Sequence, residues 1–135
     1  MRLWNGWGNE DSDLTMELSD GLRALLEALV GSGTALSQAT LNEVIAKVPN
    51  TRLDDHPLIK TDPETRVRHA RGQSLPDWLE MHSGNVDTFP DGVAFPESSE
   101  QVRELLAHAK ENNLIVIPYG GGTSVVGHIN PETSD

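Results

Sequence analysis

Apolar residues recur at the helical period in several stretches of the chain. Leu18, Leu22, Leu25, Leu26 and Leu29 fall on one face and predict a helix from about Ser19 to Val30. Ser19 or Asp20 can cap its start, and Gly31 can close it. Gly31-Ser32-Gly33-Thr34 reads as a turn. Thr40-Leu41-Asn42-Glu43 then matches a capping box, so a second helix begins at Thr40 and ends by Pro49. Asp62-Pro63-Glu64-Thr65 and Ser74-Leu75-Pro76-Asp77 are two further starts, each with a proline early in the helix. The second of these runs through Trp78, Leu79 and Met81 to Gly84.

The character changes at Phe89. Asp91-Gly92 marks a turn, and Val93-Ala94-Phe95-Pro96 predicts a short strand. Ser98-Ser99-Glu100-Gln101 is a capping box that opens a helix to about Asn112, with Val102, Leu105, Leu106 and Ala109 on one face. Asn112-Asn113 can end it in a left-handed turn. Leu114-Ile115-Val116-Ile117 is apolar on both faces and predicts an interior strand. Strand, helix and strand make a βαβ unit, of the usual length of about 30 residues. Two strands and a helix form only the edge of a sheet, and the tail from His128 to Asp135 is polar. The expectation is therefore the N-terminal piece of a larger protein.

Composition narrows the possible functions. With 135 residues the chain suits one domain, and its 36% hydrophobic and 23% charged residues suit a soluble globular one. No apolar run is long enough to cross a bilayer, so no transmembrane segment is expected. The start, Met1-Arg2-Leu3-Trp4-Asn5, has no apolar signal region, which makes a cytoplasmic location the default. There is no cysteine, which removes disulfides and thiolate metal sites. A net charge of −11 opposes non-specific nucleic-acid binding, so no nucleic-acid partner is expected.

That charge draws attention to Pro118-Tyr119-Gly120-Gly121-Gly122-Thr123-Ser124-Val125-Val126-Gly127, which follows the second apolar run. Three consecutive glycines leave no side chains between the backbone and whatever sits against it, and they permit positive φ. Successive N–H groups in such a turn can converge into an anion-binding concavity. Thr123 and Ser124 add two hydroxyl donors. A diphosphate fits; so does a simple glycine turn between strands. No lysine follows the glycines, as a P-loop would need. Val125-Val126 are poor helix starters, unlike the residues that follow a dinucleotide fingerprint.

Other residues carry weaker signals. His56, His69, His82, His108 and His128 show no metalloprotease spacing, and no metal site is expected. His128 lies just past the glycine loop, close enough in sequence to approach a ligand there. Arg66, Arg68, His69 and Arg71 form the basic cluster of an acidic chain. They can pair with the excess carboxylates or contact a phosphate. Trp4-Asn5-Gly6-Trp7-Gly8 suggests a terminal segment that packs back onto the body, with partner binding as the alternative.

Taken together, four ordered motifs resemble one family. They are Trp4-Asn5-Gly6-Trp7-Gly8, Arg66-x-x-His69-Ala70-x-Gly72-x-x-Leu75, Pro90-Asp91-Gly92-Val93-Ala94-Phe95-Pro96, and Ile117 to Val125. The chain is similar to the FAD-linked oxidases of the vanillyl-alcohol oxidase/p-cresol methylhydroxylase superfamily, on the branch that includes alkyldihydroxyacetonephosphate synthase. The resemblance implies FAD as cofactor. It implies that Pro118, Tyr119, Gly120, Gly121, Gly122, Thr123 and Ser124 bind the FAD pyrophosphate. It implies an α+β fold, with a helical N-terminal extension over residues 1–88 and the start of the FAD-binding domain over 89–135. It places the catalytic residues downstream, so none is named here. The parent would be an FAD-linked oxidoreductase acting on a small molecule, either a 2-hydroxy acid or a dihydroxyacetone phosphate ester. The fragment alone would have no turnover. The competing expectation is a helical interaction module that docks through Ser19 to Val30, with the glycine loop as a mere turn.

Overall fold

The computed structural model describes residues 2–11 and 17–132. The end of the polar tail, 133–135, lies outside the described residues. Among the described residues, seven elements follow in order: α1 (Asp20–Val30), α2 (Leu41–Ile45), β1 (Ile59–Lys60), α3 (Pro63–Arg68), α4 (Leu75–Ser83), β2 (Val93–Ala94) and α5 (Ser99–Glu111). The class is α+β, with helices around one short antiparallel pair. Ile59 faces Ala94 and Lys60 faces Val93 across that pair.

Helix ends sit where capping chemistry puts them. The Ser19 hydroxyl accepts from the Leu22 amide at the start of α1. Thr40 and Glu43 form a reciprocal box on α2, and Ser74 and Asp77 do the same on α4. Asp62 caps α3 through the Thr65 amide. On α5 the Ser98 hydroxyl accepts from the Gln101 amide, while the Gln101 side chain accepts from Glu97 instead of closing the box on Ser98. Asn113 ends α5 with φ of 52°. Leu114 N–H reaches the Ala109 carbonyl and Asn113 N–H the Lys110 carbonyl, the paired bonds of a Schellman motif.

The core lies between α2, α3 and α4. Val44, Val67, Ala70, Met81 and Val86 are buried together, and Trp4, Leu41, Ile45 and Phe89 pack around them. Trp4 therefore packs back onto the body as expected, whereas Trp7 stays exposed. The N-terminal segment is a hairpin. Arg2 bridges Asn9, and Leu3 N–H donates to the Gly8 carbonyl at 3.0 Å. Arg68 of α3 fastens it by donating to the Arg2 carbonyl at 2.9 Å and to Glu10 at 3.2 Å.

Two expectations need correction at the level of elements. The strand Val93–Ala94 and helix α5 form, but Leu114 to Ile117 joins no ladder, so the βαβ unit is not closed within the described residues. Nor is the segment interior, since Ile115 is 85% exposed and Val116 is 52% exposed. A strand exists by virtue of a neighbour, and the sole ladder partner of β2 among the described residues is the earlier segment Ile59–Lys60. That segment was not expected as a strand, because two residues carry no alternation to detect.

Candidate functional site

The site is built on the stretch 66–77. Arg71 is 4% exposed and fully engaged. Its guanidinium donates to Glu80 at 2.6 Å, Asp87 at 3.0 Å, and the carbonyls of Ala70 and Thr88 at 3.0 and 2.9 Å. Arg66 lies deeper and donates to the carbonyls of Pro90 and Pro49 at 2.6 and 2.7 Å. Its remaining terminal nitrogen has no partner among the described residues, and burial pushes its pKa below the usual range. Arg68 pairs with Glu64 and Glu10. The basic cluster is thus taken up by carboxylates and carbonyls, the structural of its two possible roles, and it ties α3, α4 and the chain before β2 together.

The turn into β2 is fixed in the same way. The Arg52 guanidinium meets the Asp91 carboxylate at 2.6 to 3.2 Å, and Thr51 donates to the Asp91 carbonyl at 2.9 Å. Burial pushes the Asp91 carboxyl up. The Arg52 hydrogen bonds and charge, with Arg66 behind them, outweigh that and hold it below the ordinary carboxylate range. A side chain at Gly92 would meet Ile59 Cγ2 at 2.5 Å, so only glycine lets the turn lie on β1.

The glycine loop is seated on this frame. An added Cβ at Gly72 would run into the Ser124 carbonyl, so the two backbones touch there. Gln73 N–H donates to that same carbonyl at 2.9 Å. Past the loop, Asn130 accepts from Gly72 N–H at 3.2 Å and donates to the buried Asp77 carboxylate at 2.7 Å. Asp77 also caps α4, so one carboxylate links a helix start to the loop exit. On the entry side, the Tyr119 ring lies 4.8 Å from the His69 ring, which also meets Phe95 edge-on at 5.4 Å. His69 Nδ1 is 2.7 Å from the Thr65 carbonyl. A carbonyl only accepts, so Nδ1 carries the proton. The Tyr119 hydroxyl folds against Gly122, whose φ of 67° favours glycine.

Within the loop, carbonyls and amides are used differently. The Gly121 carbonyl accepts from the Arg2 guanidinium at 2.7 Å, and the Ser124 carbonyl accepts from Gln73. The amides of residues 119–124 donate to no acceptor among the described residues. A peptide's C=O and N–H point in opposite directions. Holding the Gly121 carbonyl on Arg2 therefore aims the Gly122 N–H away from the protein side that Arg2 occupies. Among the described residues, nothing lies within 4 Å of a Cβ added at Gly120, and at Gly121 only Thr123 Cγ2 comes within that range, at 3.7 Å. Pro118, Gly120, Gly121 and Thr123 are exposed, Tyr119 and Ser124 are half-buried, and Gly122 is buried under Tyr119. His128 sits beside the loop, its Nδ1 3.0 Å from the Ser124 hydroxyl. These features suit the diphosphate of a dinucleotide: free donors, no side-chain bulk at Gly120 and Gly121, and a rigid seat.

Gly72, Gln73, Asn130 and Arg2 were not expected at the site, and His69 was expected there only as a member of the basic cluster. The Arg66-x-x-His69-Ala70-x-Gly72 spacing was the available signal, since a glycine next to a buried arginine asks what lies against it. Arg2 and Asn130 had none.

A family model described as "FAD binding domain" matches residues 90–134. The alkyldihydroxyacetonephosphate synthase of Dictyostelium discoideum is 36% identical over 77 residues, covering 57% of this chain and 13% of that protein. The mitochondrial cytochrome D-lactate dehydrogenase of Arabidopsis thaliana is 34% identical over 86 residues, covering 64% of this chain and 13% of that protein. A solved alkyldihydroxyacetonephosphate synthase structure superposes with a TM-score of 0.69 at 24% identity, over 99% of this chain and 31% of that one, and shares its fold. The match thus spans about an eighth of each of these two curated relatives. Its ordered motifs, its fold and these relatives together place it in the FAD-linked oxidase superfamily, on the alkyldihydroxyacetonephosphate synthase-like branch, with FAD as its cofactor.

Proposed function

We propose that residues 118–124 cradle the diphosphate of FAD: Pro118 and Tyr119 shape the entry, Gly120 and Gly121 present bare amides, Gly122 makes the positive-φ turn beneath Tyr119, and Thr123 and Ser124 add amides and hydroxyls. The observation that carries this is the run of amides at 119–124 without an internal acceptor, beside two carbonyls that the protein has claimed. An unpaired donor facing solvent costs little, and it becomes a charge-assisted bond when an anion arrives. Residues 1–88 then act as the frame, and 89–135 begin the FAD-binding domain.

The whole protein is an FAD-linked oxidoreductase in this proposal. The flavin supplies the redox chemistry, and the protein binds and orients it. Likeness to the synthases supports a dihydroxyacetone phosphate ester as substrate, and likeness to the D-lactate dehydrogenases supports a 2-hydroxy acid. This chain alone grips only one part of the cofactor, so it binds FAD weakly and does not turn over.

Calorimetric titration of the chain with FAD and with riboflavin tests this. The expected result is FAD binding weaker than micromolar, with none to riboflavin, which has no phosphate. Sub-micromolar affinity for either overturns the proposal.

A second role is supported by one observation. The leucine face of α1 is exposed, with Leu22, Leu25, Leu26 and Leu29 all accessible, as expected of a helix that docks on a partner. It is compatible with a cofactor-binding loop elsewhere in the chain.

A further inference from the structure

We infer that His128 is a positioning residue of the anion site: it sets the direction of the Ser124 hydroxyl and thereby ties diphosphate binding to pH. This rests on the assignment of the loop to a diphosphate. His128 Nδ1 lies 3.0 Å from Ser124 Oγ. A neutral imidazole with its proton on Nε2 accepts the Ser124 O–H at Nδ1, and the only proton of the hydroxyl is then spent inside the protein. The imidazolium carries a proton on both nitrogens and can only donate. Protonation therefore reverses the bond. Nδ1–H donates to Oγ, and the Ser124 O–H is released for a phosphate oxygen.

The hydroxyl is placed where such a donor counts. Ser124 Oγ is separated from its own amide nitrogen by three covalent bonds and stays within about 4 Å of it in every rotamer. That amide closes the run that meets no acceptor among the described residues, and the Ser124 carbonyl is already held by Gln73 N–H. His128 is exposed, and no carboxylate among the described residues pairs with it, Glu132 of its own segment included. The charged groups of the stretch that seats the loop are engaged elsewhere. Asp77 holds Ser74 and Asn130, Arg71 holds Glu80 and Asp87, Arg68 holds Glu64 and Glu10, and Arg66 holds two carbonyls. His69 also titrates, but its Nδ1 keeps a proton on the Thr65 carbonyl in both states, so no hydrogen bond of the loop changes with it. Arg2, at the Gly121 carbonyl, stays charged throughout. Histidine is the side chain that gains its charge between about pH 8 and pH 5.

The test is an amide chemical-shift titration of the full chain with FAD, at about pH 8 and about pH 5.5, for the native protein, His128→Asn and Ser124→Ala. The FAD diphosphate stays ionised over this range. So do Asp62 and Asp91, whose carboxyls are held below the ordinary range, which leaves the cap of α3 and the turn into β2 unchanged. In the native chain FAD should shift the amides of Gly120 and Gly121 and bind about tenfold more tightly at the lower pH, the gain expected for one charge-assisted bond. The sign follows from the bound state favouring the protonated ring, so affinity is gained as pH falls. Asparagine sets an uncharged amide near the place of Nδ1, and His128→Asn should bind equally at both pH values. Ser124→Ala keeps the histidine but has no hydroxyl to release. At the lower pH it should bind about as the native protein does at the higher, with most of the pH dependence gone. A full tenfold change in Ser124→Ala would overturn the steering of the hydroxyl. Equal native affinity at both pH values, or a full change in His128→Asn, would overturn the role of His128, while the native loop shifts would still uphold the cradle. Absence of loop shifts in the native protein at both pH values would overturn the cradle itself, and His128 with it.

Discussion

Helix α1 and the glycine loop are opposite cases. The helix has the strongest local pattern in the chain: five leucines from Leu18 to Leu29 at the right period, a serine cap and a closing glycine. Yet no residue of it is buried, and its hydrogen bonds among the described residues are its own. The loop has no regular structure at all. It is nonetheless held by Arg2, His69, Gly72, Gln73 and Asn130, from segments more than 40 residues before it and from its own exit. Local periodicity makes a helix but not a position, whereas long-range ties make a position without a helix.

The contrast can be attacked from both sides. The largest effect should come from Gly72→Val, since its side chain meets the main-chain carbonyl of Ser124, which has no rotamer to escape into. A loss of about 3 kcal/mol is expected in urea unfolding, at the upper end for overpacking, together with loss of the FAD-induced shifts. An unchanged midpoint would mean that the loop is not seated as described. Arg71→Ala should cost about 2 kcal/mol. It strands two carbonyls, but the partners Glu80 and Asp87 are 43% and 83% exposed and water can solvate them.

Acid should loosen the frame before it affects α1. The carboxyls of Asp91 and Asp62 are both held below the ordinary range. For Asp91 the Arg52 interactions overcome burial, and for Asp62 the Thr65 amide bond leads. A depressed folded pKa means the unfolded chain binds the proton more readily. The stabilisation is therefore complete above about pH 4, the unfolded aspartate value, and is lost as pH falls through the lower folded values. Urea midpoints measured between pH 7 and pH 2 should fall only at the acid end, and less steeply in Asp91→Asn. The smallest effect is expected from Leu25→Ala on the exposed face of α1, within about 0.5 kcal/mol. A loss above 1 kcal/mol would show that the helix is docked after all.

Much of the fold was legible because capping is local. Ser19, Thr40, Asp62, Ser74 and Ser98 each announce a helix within four residues of themselves, and each caps one. The glycine loop was legible for the same reason. What was hidden depends on distance in sequence. The pair Ile59–Lys60 with Val93–Ala94 is too short to show a period, and the freedom of Leu114 to Ile117 from any ladder is decided by neighbours. The basic cluster showed its residue types but not its carboxylates, which come from 4 to 58 positions away. No rule of spacing joins Arg2 to Gly121.

The central claim is that the bare amides of residues 119–124 hold the FAD diphosphate, and Gly121→Val tests it most directly. The protein leaves room for a side chain there, the nearest atom being Thr123 Cγ2 at 3.7 Å. The fold should therefore survive, with an unchanged unfolding midpoint. Titrated with FAD, the native chain should show saturable shifts at Gly120 to Gly122, and the variant should show none because its side chain fills the space of the phosphate oxygens. A folded variant that binds FAD as the native chain does would contradict the claim.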